Sequence, residues 1–143
     1  TSLRYANVYG PRQNAKGEAG VVAVFCERII SGNTPVIYGD GKQTRDYVYV
    51  EDVVSANILA MNSDKVGSFN VGTSVETDVN SLSEIIKSEL GYGKEISHVE
   101  PKNGEVKRSC LNYSKIQKEL DWAPKYSLRN GILKTVKWFK EQY

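Results

Sequence analysis

The chain has 143 residues, enough for one ordinary domain, and its 40% hydrophobic and 25% charged content excludes a disordered polypeptide. A net charge of +2 is too small to imply a nucleic-acid partner, and no apolar run approaches the length of a membrane span. The charge is uneven: from Lys102 onward ten Lys/Arg stand against four Asp/Glu, while residues 1–101 carry nine against thirteen. A basic final third suits an anionic ligand, and solvated lysines on helix surfaces are the more ordinary account of it.

The opening "TSLRYANVYG" carries no initiator methionine and reads as a start inside a longer protein; "SLRYANVYG" is a β-prone run that ends at the turn pair Gly10-Pro11. Residues Gln13 to Ala19 are polar and glycine-containing, which predicts a loop. "GVVAVFCERIISGN" places Val21, Val22, Phe25, Ile29 and Ile30 near helical spacing, with Gly32-Asn33 as the stop. "PVIY" is a short strand that enters "GDGKQTR", and "DYVYV" is another. "EDVVSANILAMN" predicts a mostly apolar helix, buried over much of its surface. "GSFNVG" is a strand bounded by glycines. Asn80 or Ser81 then caps a helix whose face is Leu82, Ile85, Ile86 and Leu90. "KEISHVEP" is a strand, "YSKIQKELDW" a short helix, and Ser127 precedes a terminal helix with Leu128, Ile132, Val136 and Phe139 in register. Strands alternating with helices predict an α/β (mixed α+β) domain over residues 1–143, a small sheet with one covering layer of helices.

The chemistry-bearing residues are few. Cys26 and Cys110 lie far apart, outside any Cys-x-x-Cys pair, and His98 is the only histidine. That inventory predicts no metal site, and the cysteines read as reduced packing residues of a cytoplasmic protein. Gly39-Asp40-Gly41 is not a dinucleotide cradle, because that needs a strand before it and a helix N-terminus directly after it, whereas this turn leads into a strand. Tyr38 and Lys42 have the spacing of a catalytic Tyr-x-x-x-Lys pair, but two intervening glycines disfavour the helix that would put both on one face. One histidine and no nucleophile elbow leave no triad, so no catalytic residue is assigned. Arg45 stands just before a strand, where its planar fork could clamp phosphate or ribose oxygens; a structural pair with Asp46 is the equal alternative.

"LRYANVYGPRQ", "PVIYGDGKQTRDYVYVEDVV", "FNVGT" and "GEVKRSCLNYSKIQKELDW" occur in this order and spacing. Together they resemble the C-terminal, substrate-binding half of extended short-chain dehydrogenase/reductases that act on nucleotide sugars. UDP-glucose 4-epimerases are the nearest, with dTDP-glucose 4,6-dehydratases close behind. The resemblance covers nearly the whole chain. It implies that Asn7 contacts the nucleotide-sugar diphosphate, that Val36 and Tyr38 border the nucleobase, and that Arg45 binds the diphosphate side. It further implies that Val79 is an apolar contact near base or ribose, that Glu105 accepts from ribose hydroxyls, and that Tyr5 lies near the nicotinamide of NAD. The chain departs from the family at Lys102, where relatives usually carry arginine, so the bidentate fork is lost. It departs again at Ala6, where an aromatic is frequent.

The same resemblance implies that the NAD fingerprint and the catalytic Tyr/Lys helix lie upstream, on an N-terminal Rossmann domain that these residues lack. In such enzymes NAD takes hydride from the sugar C4 while a tyrosine removes the hydroxyl proton. The keto-sugar turns, and hydride returns to its other face. This portion would hold the UDP-sugar meanwhile. The implied partners are the UDP-sugar, the missing N-terminal domain and, as a candidate assembly, a second copy in a homodimer, with no nucleic acid and no membrane. A non-catalytic nucleotide-sugar-binding module is the competing reading.

Overall fold

The computed structural model describes residues 1–16 and 20–142, so part of the predicted Gln13–Ala19 loop lies outside the described residues. Among the described residues, the strands of four small sheets alternate with five helices along the chain. The first β-prone run forms two strands, β1 (Ser2–Tyr5) and β2 (Asn7–Tyr9), which take different partners. Helix α1 (Val21–Ile30) follows, and Gly32, at φ 77°, turns the chain after it. Next come β3 (Val36–Tyr38), β4 (Thr44–Arg45), β5 (Tyr47–Tyr49) and α2 (Val50–Met61). The second half consists of β6 (Ser68–Val71), β7 (Thr77–Asp78), α3 (Val79–Leu90), β8 (Ser97–Val99), β9 (Arg108–Ser109), α4 (Ser114–Leu120) and α5 (Leu128–Gln142).

The predicted class is what the structure has, but the strands of the described residues are divided among four small sheets. β1 pairs with β6, β2 with β5 and β3 with β8, all parallel, while β4 lies between antiparallel β7 and parallel β9. β5 is the partition of the molecule. Tyr47 and Tyr49 enter a core with Val22, Phe25, Leu82, Ile132 and Phe139 from α1, α3 and α5. Val48, pointing the other way, enters a second core with Val53, Phe69, Ile116 and Trp122. A strand between two cores has no solvent face, which is why Tyr-Val-Tyr is buried throughout.

Two expectations are corrected. The cap of α3 is Asp78, not Asn80 or Ser81: its carboxylate accepts from the Ser81 amide at 2.8 Å and the Ser81 hydroxyl at 2.6 Å. Helix α2 is apolar but not buried over much of its surface, because only Asp52, Val53 and Ala56 are buried. Val54, Ile58 and Met61, at helical spacing, are 51%, 53% and 84% exposed. Tyr5 of β1 lies on the same side, 46% exposed, and its hydroxyl donates to Asn57 of α2 at 2.9 Å. Among the described residues, β1 is paired along one edge only. Among the described residues, no helix is long and apolar enough to cross a membrane.

Candidate functional site

The glycine turn, Gln43 and the segment leading into β9 build one recess, with Arg45 of β4 next to its Glu105. Gly39 and Gly41 both adopt positive φ, 71° and 73°, which reverses the chain within three residues. Asn80 holds the turn from outside: its side-chain amide donates to the Asp40 carbonyl at 2.9 Å and its backbone amide to the Gly41 carbonyl at 3.2 Å. A Cβ at position 41 would collide with the Asn80 side chain, so the glycine is required for contact as well as for conformation. The His98 ring, through Nδ1, meets the Gly39 carbonyl at 2.8 Å and ties the turn to β8.

A cavity of about 370 Å³ opens beside this turn, lined by Tyr38, Asp40, Lys42, Gln43, Lys102 and Glu105 among others. Lys102 Nζ lies 4.1 Å from the centroid of the Tyr38 ring, a cation–π contact across the mouth. Gln43 donates to the Tyr38 carbonyl at 3.0 Å and lies 3.4 Å from the Glu105 carboxylate. Arg45 Nη2 is 3.9 Å from Glu105 Oε1, and Arg45 Nη1 donates to the Thr44 carbonyl at 2.8 Å. Arg45 is partly buried and shares a face of its sheet with its ladder partners Thr77 and Ser109. Burial pushes the Tyr47 hydroxyl up to about 12, and the charge of the Arg45 guanidinium opposes that rise. Lys42, Lys102, Lys107 and Arg45 thus face Asp40 and Glu105, a cationic excess suited to an anion.

The structure therefore gathers Tyr38, Lys102, Glu105 and Arg45. Asn7 reaches the group through its backbone: it is Tyr47's ladder partner, and its amide donates to the Asp46 carbonyl at 2.8 Å. Val36 stands two residues before Tyr38 on β3, partly buried. Val79 opens α3 and packs into the first core, outside the cavity lining. Tyr5 borders a separate depression with Leu3, Asn57 and Met61.

Asp46 settles the question its neighbour raised. It is 1% exposed and turned away from Arg45. Its carboxylate accepts from the Thr73 amide and hydroxyl at 2.9 and 2.6 Å, the Ser74 amide at 3.2 Å and the Leu111 amide at 3.3 Å. A Cβ at Gly72 would strike that carboxylate. The Gly-Thr of "FNVGT" is thus the receptor for the Asp of "TRD", and the two motifs are halves of one anchor. Sequence reasoning missed this anchor, along with Asn80 and Glu76; the joint occurrence of the two motifs was the available signal.

The family described as GDP-mannose 4,6 dehydratase matches residues 1–135. The chain is 45% identical over 138 residues to the UDP-glucose 4-epimerase of Mycolicibacterium smegmatis, covering 96% of this chain and 44% of that protein. The crystal structure of Thermotoga maritima UDP-glucose 4-epimerase with UDP-glucose superposes with a TM-score of 0.95 at 50% identity, covering 98% of this chain and 45% of that one. The Thermus thermophilus UDP-glucose 4-epimerase complex with NAD does so at 0.89 and 39%, covering 99% and 47%. The chain spans somewhat less than half the length of these relatives. A match of this extent makes the chain a member of the GDP-mannose 4,6 dehydratase family, the nucleotide-sugar epimerases and dehydratases of the extended short-chain dehydrogenase/reductase type.

Proposed function

We propose that this chain is the C-terminal, nucleotide-gripping portion of an NAD-dependent UDP-hexose 4-epimerase. The observation that carries the reading is that two segments far apart in sequence bring Tyr38, Lys102 and Glu105 to one recess with a cationic excess, with Arg45 beside Glu105. Arg45 and Lys102 neutralise the diphosphate, and Asn7 supplies a further polar contact to it. Tyr38 and Val36 border the base, Val79 backs that region from the core, and Glu105 accepts from ribose hydroxyls. A firm grip on the nucleotide leaves the hexose free to turn. The Thermotoga maritima enzyme, solved with UDP-glucose, is the relative that supports a UDP-sugar ligand.

The residues of this chain do not fit NAD by themselves. Its glycine turn at 39–41 runs into β4 and not into a helix N-terminus, and Tyr5 is the single residue assigned toward the nicotinamide. No catalytic step is therefore derived through NAD here. The exposed side formed by Tyr5, the open edge of β1 and the apolar stripe of α2 receives the Rossmann half of the enzyme.

Calorimetric titration of the purified chain with UDP, dTDP and NAD tests the assignment. UDP binding stronger than dTDP binding, with no tight NAD binding and no turnover of UDP-galactose, is the expected outcome. Preference for dTDP would move the assignment to a 4,6-dehydratase. Micromolar NAD affinity or turnover by the isolated chain would overturn it.

A further inference from the structure

Residues 101–107, one wall of the cavity, are exposed throughout and lie in neither core. This wall returns to the body of the protein through β9, itself exposed, whose ladder with β4 spans only Thr44↔Arg108 and Arg45↔Ser109. The ladder of β4 with β7 is equally short. Strands of two residues are marginal on their own. Yet they set where Arg45 stands relative to Glu105.

Alternation puts Arg45, Thr77 and Ser109 on one face of this sheet, the face from which Arg45 reaches Glu105, and Thr44, Asp78 and Arg108 on the opposite face. On that far face lies a carboxylate that the nucleotide reading does not use. Glu76 immediately precedes β7. It accepts from Arg108 Nε at 2.9 and 2.7 Å, from Arg108 Nη2 at 2.6 Å and from the Thr44 hydroxyl at 2.7 Å. One carboxylate thereby fastens all three strands: β7 through its own backbone, β4 through Thr44 and β9 through the fork of Arg108.

We propose that Glu76 is a positioning residue for the nucleotide site: with Arg108 and Thr44 it forms a clasp on the far face of the sheet that holds Arg45 and the Lys102–Glu105 wall at the separation a nucleoside diphosphate requires. The proposal rests on the function assigned above. Arg108 is 79% exposed at its side chain, so the pair adds little to global stability, and its effect is on the geometry of β4 against β9. The backbone bonds it guards are those from the Thr44 amide to the Lys107 carbonyl, 2.9 Å, and from the Asp46 amide to the Ser109 carbonyl, 3.0 Å.

UDP is titrated into the 143-residue chain and into Glu76→Gln, Arg108→Lys and the swapped pair Glu76→Arg/Arg108→Glu. The thermal midpoint and the hydrogen exchange of the Thr44 and Asp46 amides are measured on each. Glu76→Gln should weaken UDP binding about tenfold, because misplaced binding groups act at a distance from the mutation. Exchange of the two amides should speed up while the midpoint hardly moves. Arg108→Lys should resemble it, since a lysine cannot supply the fork, and the swapped pair should regain most of the affinity. Unchanged UDP affinity in Glu76→Gln overturns the proposal and leaves the nucleotide assignment standing. A fall in affinity matched by a large fall in midpoint, with no rescue by the swap, makes the clasp an ordinary structural cross-link and overturns it as well. Absence of UDP binding by the unmodified chain overturns the nucleotide assignment and with it the clasp's role.

Discussion

Arg45 and Asp46 are neighbours in sequence with opposite tasks. Asp46 is buried under donors from Thr73, Ser74 and Leu111, and Arg45 points toward Glu105 and the recess. The sequence alone admitted a pair between them, because side-by-side charges of opposite sign cannot be told apart from charges on opposite faces until the strand is placed. A charge-assisted bond to diphosphate is worth on the order of 1.5–3 kcal/mol. Arg45→Ala should therefore weaken UDP binding by roughly one to two decades, since ~1.4 kcal/mol is tenfold. Arg45→Lys should recover part of the loss. The thermal midpoint should hardly change, as the partner at 3.9 Å is a partly exposed Glu105. Affinity and midpoint measured side by side decide it: a large fall in midpoint with unchanged affinity would remove Arg45 from the site.

The elements that periodicity made legible are the long ones. α1, α3 and α5 lie where the spacing of Phe25, Leu82, Ile86, Ile132 and Phe139 put them, because a wide apolar stripe is a strong signal. β4, β7 and β9 were invisible, since strands of two polar residues have no period to detect. The sheet they form, held by side-chain cross-links, is the one that carries Arg45. For the same reason the sequence showed Arg45 as a candidate but not the frame around it. The frame has a pH signature. Hydrogen bonds from Arg108, then from Thr44, hold the Glu76 carboxyl at about 2, below the ordinary 4.5. Because the folded value is the depressed one, the clasp's contribution is complete above about 4.5 and is lost as pH falls through about 2. An NMR titration of the Glu76 side chain should give its midpoint near 2. A midpoint near 4.5 would show that Arg108 does not engage it in solution.

Across the whole molecule, the two cores meet at β5, and one side of the second is left under an incomplete cover. The α2 pattern read as buried because hydrophobicity reports what a helix can bury, not what is present to bury it. With Val54, Ile58 and Met61 exposed and β1 open along one edge, the isolated chain should self-associate. Light scattering across a concentration series should show mass rising with concentration, and Ile58→Glu should reduce the rise; a strictly monomeric chain would contradict it. The ladders have one further consequence, in time and not in space. Ser2 pairs with Ser68, Asn7 with Tyr47, Val36 with Ser97 and Thr44 with Arg108, so no parallel ladder closes between neighbouring segments. Chains built on such distant pairings fold slowly, because loop closure must precede the contacts that reward it. On the ribosome β1 must wait for residues 68–71, and the recess waits longer still. Its wall, its clasp and the last donor to Asp46 arrive only with residues 97–111. The recess is therefore among the last parts of the nascent chain to take shape: β7 and the Thr73 and Ser74 donors can reach β4 and Asp46 first, but Glu105, the partner of Arg45, comes only later.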